Sequence, residues 1–218
     1  MTRRELFKLI ESGEGLQIEF KQKFSSHEKI AKEMVAFANT KGGVIIFGIR
    51  DNGKIQGVES EKGEAGLIKE AAEKFCEPPI SYLIEYFDVD EKEIVCCTIN
   101  EAKVKPHRLQ DYESELLINK AQVYVRVNDK SVPASKEMIR ILKAHSEEKK
   151  LYKYSIGKLE KAVFEYLDEH ESVSVKELCN AANTSARRAS RTLVKLVRAG
   201  MILIHTKDNG EEYFTYRG

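Results

Sequence analysis

Residues 185–200, SARRASRTLVKLVRAG, decide the fold of the C-terminal part of this chain. At about 100° per residue, small and apolar side chains gather on one side of a helix and basic side chains on the other. The apolar side holds Ala186, Ala189, Leu193, Leu196 and Val197, and the basic side holds Arg187, Arg188, Arg191, Lys195 and Arg198. A helix closed by Gly200 is therefore predicted, with separate core and basic faces.

The sequence on either side of this helix completes a small domain. Helices are predicted over 156–170 and 174–182, the second with Ser174 as cap and Glu177 in the capping-box position. Strands are predicted over 201–205 and 211–216, joined by a turn at 207–210 that contains Asn-Gly. Three helices followed by a two-stranded wing are typical of a winged helix-turn-helix, which we assign to residues 155–218.

In a helix-turn-helix the second of the paired helices enters the major groove of DNA with its N-terminal residues leading. We expect DNA contacts from this helix and from one lysine of the wing. The expected residues are Ser185, Arg187, Arg188, Ser190, Arg191, Lys195, Arg198 and Lys207. The alternative is that the domain mediates protein–protein contacts and that its arginines form a solvated face.

Composition limits the classes of protein to consider. The chain has 218 residues, of which 42% are hydrophobic and 33% charged, and a formal net charge of +1, so a basic surface has to come from local placement. The longest apolar runs are too short to cross a bilayer, and the N-terminus lacks the apolar segment of a signal peptide. We expect a cytoplasmic protein with no membrane partner.

The N-terminal part alternates helix and strand patterns. A charged run at 147–150 follows them, and the sequence predicts a domain over 1–146 and a linker over 147–154. Strands 44–49 and 55–58 are expected to form a hairpin around the turn at 51–53. The predicted helices are 2–12, 26–40, 65–75 and 134–145, and the predicted strands are 16–21, 44–49, 55–58, 80–89, 93–99 and 122–127.

Several motifs of this part resemble a known family. They are Glu14, IEFKQ at 18–22, AFANTKGGVIIFGIRDNGKIQGV at 36–58, KPH at 105–107 and VYVRVNDKSVPAS at 123–135. The region from about residue 10 to 145 resembles the Schlafen-type AlbA_2 domain, also called the divergent AAA-4 domain. This resemblance implies an α+β fold with a mixed sheet and flanking helices, and a role in DNA binding. A following winged helix is common in microbial members, which resemble transcriptional regulators.

The resemblance also implies a candidate catalytic site. Schlafen-like ribonucleases are similar to this chain at Glu14, Glu19 and Asp51, three carboxylates that could hold magnesium or manganese for phosphodiester cleavage. Lys21 could then neutralise the scissile phosphate. The alternative is structural: Glu19 and Lys21 pair on one face of a strand, and Asp51 opens a turn.

Other polar residues of the family motifs have two interpretations each. Arg126 and Lys130 could bind phosphate, although Arg126 could equally pair with an acidic residue of the sheet. Asn39 could cap the turn that follows its helix or face a ligand, with capping favoured. His107 could contact nucleic acid, with a structural or surface role favoured.

Residues 48–54, GIRDNGK, satisfy the G-x-x-x-x-G-K half of a P-loop. The next residue is Ile55 where a P-loop has a magnesium-binding Ser or Thr, and a strand is predicted where the helix that holds phosphate should begin. The sequence therefore gives no support to ATP hydrolysis.

These observations favour a DNA-binding protein acting as a transcriptional regulator, with duplex DNA as partner, homodimerisation as an expectation and no cofactor needed for binding. The first alternative is a metal-dependent endoribonuclease that acts on RNA with Mg or Mn at the three carboxylates. The second is a protein-interaction adaptor. The sequence alone leaves enzymatic activity undecided.

Overall fold

The computed structural model of the chain describes residues 1–146 and 156–217, and the predicted linker over 147–154 lies outside them. The chain divides into two compact units, Met1–Pro133 and Ala134–Gly218. The helix predicted over 134–145 therefore groups with the second unit, whereas the sequence placed it in an N-terminal domain ending at residue 146. None of the helices formed by the described residues is both long and apolar enough to cross a bilayer.

The first unit is an α+β domain built on a mixed four-stranded sheet. Its strand order is β1-β2-β5-β4, in which β1 is parallel to β2 and the other pairs are antiparallel. The elements of this unit are α1 (Arg3–Ser12), β1 (Ile18–Lys21), α2 (His27–Asn39), β2 (Gly43–Phe47), α3 (Glu61–Lys74), β3 (Cys76–Glu77), β4 (Tyr82–Val89), β5 (Lys92–Ile99), β6 (Arg108–Leu109), β7 (Tyr124–Val127) and β8 (Lys130–Pro133).

Both faces of this sheet are buried, because alternate residues of the central strands point to opposite sides. Ile45 and Phe47 of β2 join the larger core together with residues of α2 and α3. Ile46 of β2 joins a second core, which contains Leu6 of α1 and Phe20 of β1. This explains the continuous apolar run of β2, since a strand covered on both faces has no polar side.

The predicted hairpin between 44–49 and 55–58 forms only in part, as a turn with one antiparallel bridge between Ile49 and Ile55. Both edges of β2 are occupied, one by β1 and the other by β5, so the segment after the turn finds no free edge. Single bridges join Ile49 to Ile55 and Val58 to Glu93. The turn after β2 predicted a partner strand next to it in the chain, whereas β2 pairs in the sheet with β1 and β5.

The glycine pair after α2 is required by close packing. Gly42 has φ of +69°, and a Cβ at Gly43 would lie 2.3 Å from a ring carbon of Phe37. The expectation that these glycines let the helix pass tightly into a buried strand is therefore confirmed.

In the second unit, the described residues 134–146 and 156–217 form four helices and a two-stranded antiparallel sheet. Its elements are α4 (Lys136–Ser146), α5 (Lys158–Glu169), α6 (Val175–Ala181), α7 (Ala186–Arg198), β9 (Ile202–Thr206) and β10 (Glu212–Tyr216). The Ser174–Glu177 capping box opens α6 as predicted, and Gly200 follows α7 with φ of +72°. Apolar residues of α5, α6, α7 and both strands share one core.

Candidate functional site

Helix α7 separates its side chains as its sequence predicts, except that Ala186, expected on the apolar side, is exposed. Ala189, Leu193 and Leu196 are fully buried in the core of the second unit. On the opposite side Arg187, Arg188, Arg191 and Lys195 are exposed and Arg198 is half-buried. We call these five residues the basic face. None of them forms an ion pair with any residue in the described ranges 1–146 and 156–217.

Two predicted contact residues of α7 lie at different depths. Ser185 is exposed at the N-cap position, and its side chain makes no capping hydrogen bond. Ser190 is only 5% exposed. Its hydroxyl donates to Glu137 and accepts a 3.0 Å hydrogen bond from Arg140 Nη1, both on α4. The expectation of a DNA-facing Ser190 therefore needs correction, because α4 covers that side of α7.

The packing of α4 against α7 adds two cations that the sequence analysis missed. A groove of about 440 Å³ between the helices is lined by Arg140 and Lys143 of α4 and by Arg191, Lys195 and Arg198 of α7. From the sequence, α4 was expected in the other domain, so its basic residues were not placed beside α7. The alternation of apolar and basic residues in KEMIRILKAHS, residues 136–146, was the available signal.

A second cleft, of about 640 Å³, lies on the other side of the basic face. It is lined by Arg188, Arg191 and Lys195 of α7, together with residues of the α6–α7 turn and the start of α5. Arg191 and Lys195 therefore border both depressions. The cations form a ridge between two concave surfaces.

Lys207 lies just after β9, in the turn that leads to β10. Its side chain is exposed, with Nζ 3.8 Å from Glu211 Oε2 and 5.8 Å from the centroid of the Tyr213 ring. Both contacts are long, and an exposed ion pair of this kind contributes little to stability. Lys207 can thus reach a ligand at the tip of the hairpin.

In the first unit, Arg126 of β7 is at the centre of a buried charge network. Its side chain is fully buried, and Nη1 lies 2.9 Å from Glu19 Oε2 and 3.0 Å from Glu33 Oε2. Nη2 donates to the carbonyl of Gly15 at 2.6 Å, and the guanidinium lies 4.7 Å from the centroid of the Phe37 ring. Arg126 therefore cannot bind an external phosphate in this arrangement, and the pairing interpretation is confirmed.

The three candidate catalytic carboxylates have different environments. Glu19 is buried between Arg126 and Lys21, so the expected pairing of Glu19 with Lys21 is present. Glu14 is half-buried and accepts a 2.8 Å hydrogen bond from the backbone N–H of Phe20. Burial raises the pKa of Glu14, and the charges of Glu19 and Asp51 add to that rise. Asp51 is exposed in the turn after β2.

These carboxylates are neighbours, but they are not placed as a set of metal ligands. In residues 1–146 and 156–217, no three His, Cys, Asp or Glu side chains are arranged so that they could hold a metal ion. Glu19 already pairs with Arg126 and Lys21, and one oxygen of Glu14 already accepts a hydrogen bond from the backbone. The donor set therefore does not fit a magnesium or manganese centre in this arrangement.

The remaining polar residues of the family motifs hold segments of the first unit together. Asn39 donates to the carbonyls of His107 and Tyr124 at 2.8 and 3.0 Å and accepts from the N–H of His107 at 2.8 Å. Its side chain does not cap the turn after α2, as was favoured, but joins α2 to the segments that contain His107 and Tyr124. His107 is buried, with Nδ1 2.8 Å from the Pro78 carbonyl oxygen, and burial lowers its pKa. Lys130 is exposed at the start of β8.

The loop that resembles half a P-loop is closed on itself. The N–H of Arg50 donates to the carbonyl of Lys54 at 3.0 Å, and the N–H of Gly53 donates to the carbonyl of Arg50 at 2.8 Å. A P-loop instead directs such amides at phosphate from the start of a helix. The next helix, α3, begins only at Glu61.

Comparison with known proteins places these features in context. A family model described as Schlafen, AlbA_2 matches residues 14–135. Over 91 residues the chain is 34% identical to an uncharacterized ATP-binding protein of Ureaplasma parvum serovar 3. That match takes in 39% of this chain and 26% of the relative, so it spans about a quarter of the relative's length.

Two solved structures are similar at low identity. One is the DIP2311 protein of Corynebacterium diphtheriae, at 17% identity and a TM-score of 0.46, covering 66% of this chain and 34% of that one. The other is the N-terminal domain of a protein from Nitrosomonas europaea named as DNA helicase RecG-related. Its identity is 18% and its TM-score 0.40, with 50% of this chain and 81% of that one covered.

Proposed function

The chain belongs to the Schlafen AlbA_2 family, and from that premise we propose that it is a nucleic-acid-binding protein that contacts duplex DNA through its second unit. In this proposal residues 156–217 act as a winged helix-turn-helix, with α7 as the recognition helix and the β9–β10 hairpin as the wing. The protein then acts as a transcriptional regulator. The observation that carries the proposal is the exposed basic face of α7.

The placement of these cations is what major-groove binding requires. Arg187, Arg188 and Arg191 lie in the first half of α7, the end that leads into the groove. Arginine presents a planar fork of donors that matches guanine edges and phosphate oxygens. Because the opposite side of α7 is packed in the core, the helix can meet DNA without disturbing the unit.

Helix α4 adds to this surface. Arg140 and Lys143 border the same groove as Arg191, Lys195 and Arg198. Arg140 also pairs with Glu137 at 3.3 Å, so Lys143 contributes most of the added positive charge. Phosphate contacts of this kind set register and contribute sequence-independent affinity. We assign Arg140 and Lys143 to the DNA backbone, and the N-terminal arginines of α7 to base edges and the phosphates beside them.

The competing interpretation is that the basic face is only solvated. The neighbouring helix α5 shows what an ordinary exposed face looks like here, since KLEKAVFEYLDE at 158–169 mixes acidic and basic residues. The stretch 185–198 has five basic residues and no acidic one. A one-signed surface is electrostatically unfavourable unless an anion compensates it, which favours a polyanionic ligand.

The proposal is tested by measuring how duplex binding depends on salt. We expect the full chain to bind duplex DNA with an affinity that falls as salt rises. The triple variant Arg187→Ala, Arg188→Ala, Arg191→Ala should bind more weakly, and its slope of log K against log salt should be smaller by about 2.7, since each phosphate contact contributes about 0.9.

The matched control replaces three exposed lysines outside the basic face, Lys62, Lys69 and Lys161, with alanine. This control changes the net charge equally and should leave the slope near that of the wild type. Equal binding by the arginine variant and the wild type would refute the proposal. Selection from a randomised duplex pool then tests the regulator role, because a sequence reader enriches a defined motif and a dimer enriches two half-sites about 10 base pairs apart.

A further inference from the structure

We propose that a cleft on the first unit binds single-stranded nucleic acid, independently of α7. The cleft encloses about 510 Å³ and lies among α2, the end of α3 and the segments around β6 and β7. Three lysines and three aromatic residues line it: Lys29, Lys32, Lys74, Phe75, Tyr112 and Tyr124. We call this surface the aromatic cleft.

The charge of the cleft suits a phosphate chain. Its three lysines face one acidic residue, Glu28. Lys32 Nζ lies 5.5 Å from the centroid of the Tyr124 ring, so this cation and this aromatic surface are held together. Lys74 also pairs with Glu70 at 2.8 Å, an exposed contact that a phosphate could replace at small cost.

Tyr112 is the most unusual residue of the cleft. Its side chain is 90% exposed and its φ is +59°. A left-handed backbone is unfavourable for a bulky side chain, and an exposed ring contributes little burial in return. Strain of this kind that is retained without a packing benefit points to a function for the side chain.

Hydrogen bonds hold Tyr112 at the rim of the cleft. Its N–H donates to Gln110 Oε1 at 2.8 Å, and the N–H of Gln110 donates to the carbonyl of Phe75 at 2.9 Å. Gln110 Nε2 also donates to Glu77 Oε2 at 3.0 Å. These bonds tie the backbone of Tyr112 to the end of α3, and its ring stays exposed at the rim.

Aromatic rings beside lysines recognise the repeating unit of a single strand, which offers a base to stack and a phosphate to pair at every nucleotide. In a duplex the base faces are covered by neighbouring pairs, so a side chain can stack only on an unpaired base. The cleft therefore fits single-stranded RNA or DNA, whereas the basic face of α7 fits a duplex.

The test uses the full chain carrying Arg187→Ala, Arg188→Ala and Arg191→Ala, so that it does not depend on binding by α7. The probe is a fluorescently labelled uridine oligonucleotide of about a dozen residues, in the range that single-strand binding surfaces cover. We expect binding to persist in this background, measured by fluorescence anisotropy. If single-strand binding vanishes with the α7 arginines, the inference is overturned while the duplex proposal stands.

Substitutions at the rim separate stacking from folding. Tyr112→Gly relieves the positive φ and should keep the chain folded, but it should raise the dissociation constant about tenfold. Tyr112→Phe keeps the ring and should bind within about twofold of the parent. Tyr86→Ala, at an exposed tyrosine of β4, is the control and should have no effect. An equal loss of oligonucleotide binding in Tyr112→Gly and Tyr86→Ala, or no loss in either variant, contradicts a role for the cleft.

The lysines of the aromatic cleft are tested by the salt dependence of oligonucleotide binding. Lys29→Ala with Lys32→Ala should lower the slope of log K against log salt by about 1.4, since each single-strand phosphate contributes about 0.7. Lys62→Ala with Lys69→Ala on α3 is the control of equal charge and should leave the slope unchanged. Binding of free ATP or UTP in the cleft, without binding of the oligonucleotide, would replace the proposal with a mononucleotide site.

Discussion

Arginine is used in opposite ways in the two units of this protein. In the first unit Arg126 is fully buried and paired with Glu19 and Glu33. In the second unit Arg187, Arg188 and Arg191 are exposed and form no ion pair with a residue of the described ranges. The same side chain therefore joins segments of the fold in one unit and presents an unneutralised charge in the other.

This contrast shows that a basic residue in a recognised motif need not bind the ligand of the family. Arg126 lies in VYVRVNDKS, which suggested phosphate binding, yet its guanidinium serves two carboxylates and the Gly15 carbonyl. Burial determines the role, because an enclosed cation has to be compensated inside the protein. Exposed cations can instead be compensated by an external anion. Three substitutions test this contrast, and they follow from the largest expected effect to the smallest.

Replacing Arg126 with alanine should have the largest effect on stability. The change leaves the carboxylates of Glu19 and Glu33 buried without their shared cation, and breaking a buried ion pair in this way costs about 3–5 kcal/mol of unfolding free energy. Urea denaturation followed by circular dichroism measures the change. Arg188→Ala is the matched control and should alter the unfolding free energy by less than about 0.5 kcal/mol, as for other exposed positions. Similar losses in the two variants would remove the distinction between the units.

Glu212 of β10 has a largely buried carboxylate in the second unit, and hydrogen bonds from the described residues satisfy only one of its two oxygens. Its carboxylate accepts a 2.5 Å hydrogen bond from Ser135, while Oε1 is buried without a hydrogen-bond partner among the described residues. Burial raises the pKa of Glu212 to about 7, with the charge of Glu137 adding to the rise. Between the ordinary value of 4.5 and about 7, the folded protein therefore binds more protons than the unfolded chain.

The unfolding free energy should consequently fall as pH rises from about 4.5 to about 7, and then level off. Glu212→Gln cannot ionise and should be more stable than the wild type by about 2 kcal/mol above neutral pH, with little difference in acid. Denaturation across this pH range is the measurement. Glu211→Gln, at the exposed neighbour, should retain the wild-type pH profile. If Glu212→Gln also keeps the wild-type pH profile, burial of Glu212 does not cause the fall of the unfolding free energy with pH.

The smallest expected effect concerns Ser190. Ser190→Ala removes a buried hydroxyl that bonds to Glu137 and Arg140, and it should lower the unfolding free energy by about 1 kcal/mol. Because the hydroxyl faces α4, duplex affinity should change by less than about twofold. Ser185→Ala, at the exposed N-cap, should affect stability less. A large loss of DNA affinity in Ser190→Ala would restore Ser190 as a contact residue.

The sequence predicted local features of the fold well. The faces of α7, the Ser174 capping box and the β4–β5 pair depend on periodicity and on neighbouring residues, and all are present in the structure. The sequence failed where partners are distant. It predicted a full hairpin after β2, of which only the turn and one bridge form, and it placed α4 in the first domain. Each outcome depends on which surfaces are free after folding.

The candidate sites were also predicted where they depend on neighbouring residues and missed where they depend on distant ones. The basic face could be predicted because five cations on one helix share a side by geometry alone. The cations that α4 adds could not be predicted, since Arg140 lies fifty residues before Ser190 in the chain and meets it only through packing. The aromatic cleft was also missed, because its lysines and tyrosines come from segments far apart in sequence.

By itself, the sequence determined the helix with a basic face, the order of elements in the second unit and the family of the first. The tertiary structure alone decided which charges are buried and which remain exposed. The physical reason is that periodicity acts over a few residues, whereas desolvation of a charge depends on every segment that packs around it. Arg126 and Arg187 are the same residue type in the sequence. Only the packing around each of them makes one a buried structural cation and the other an exposed one.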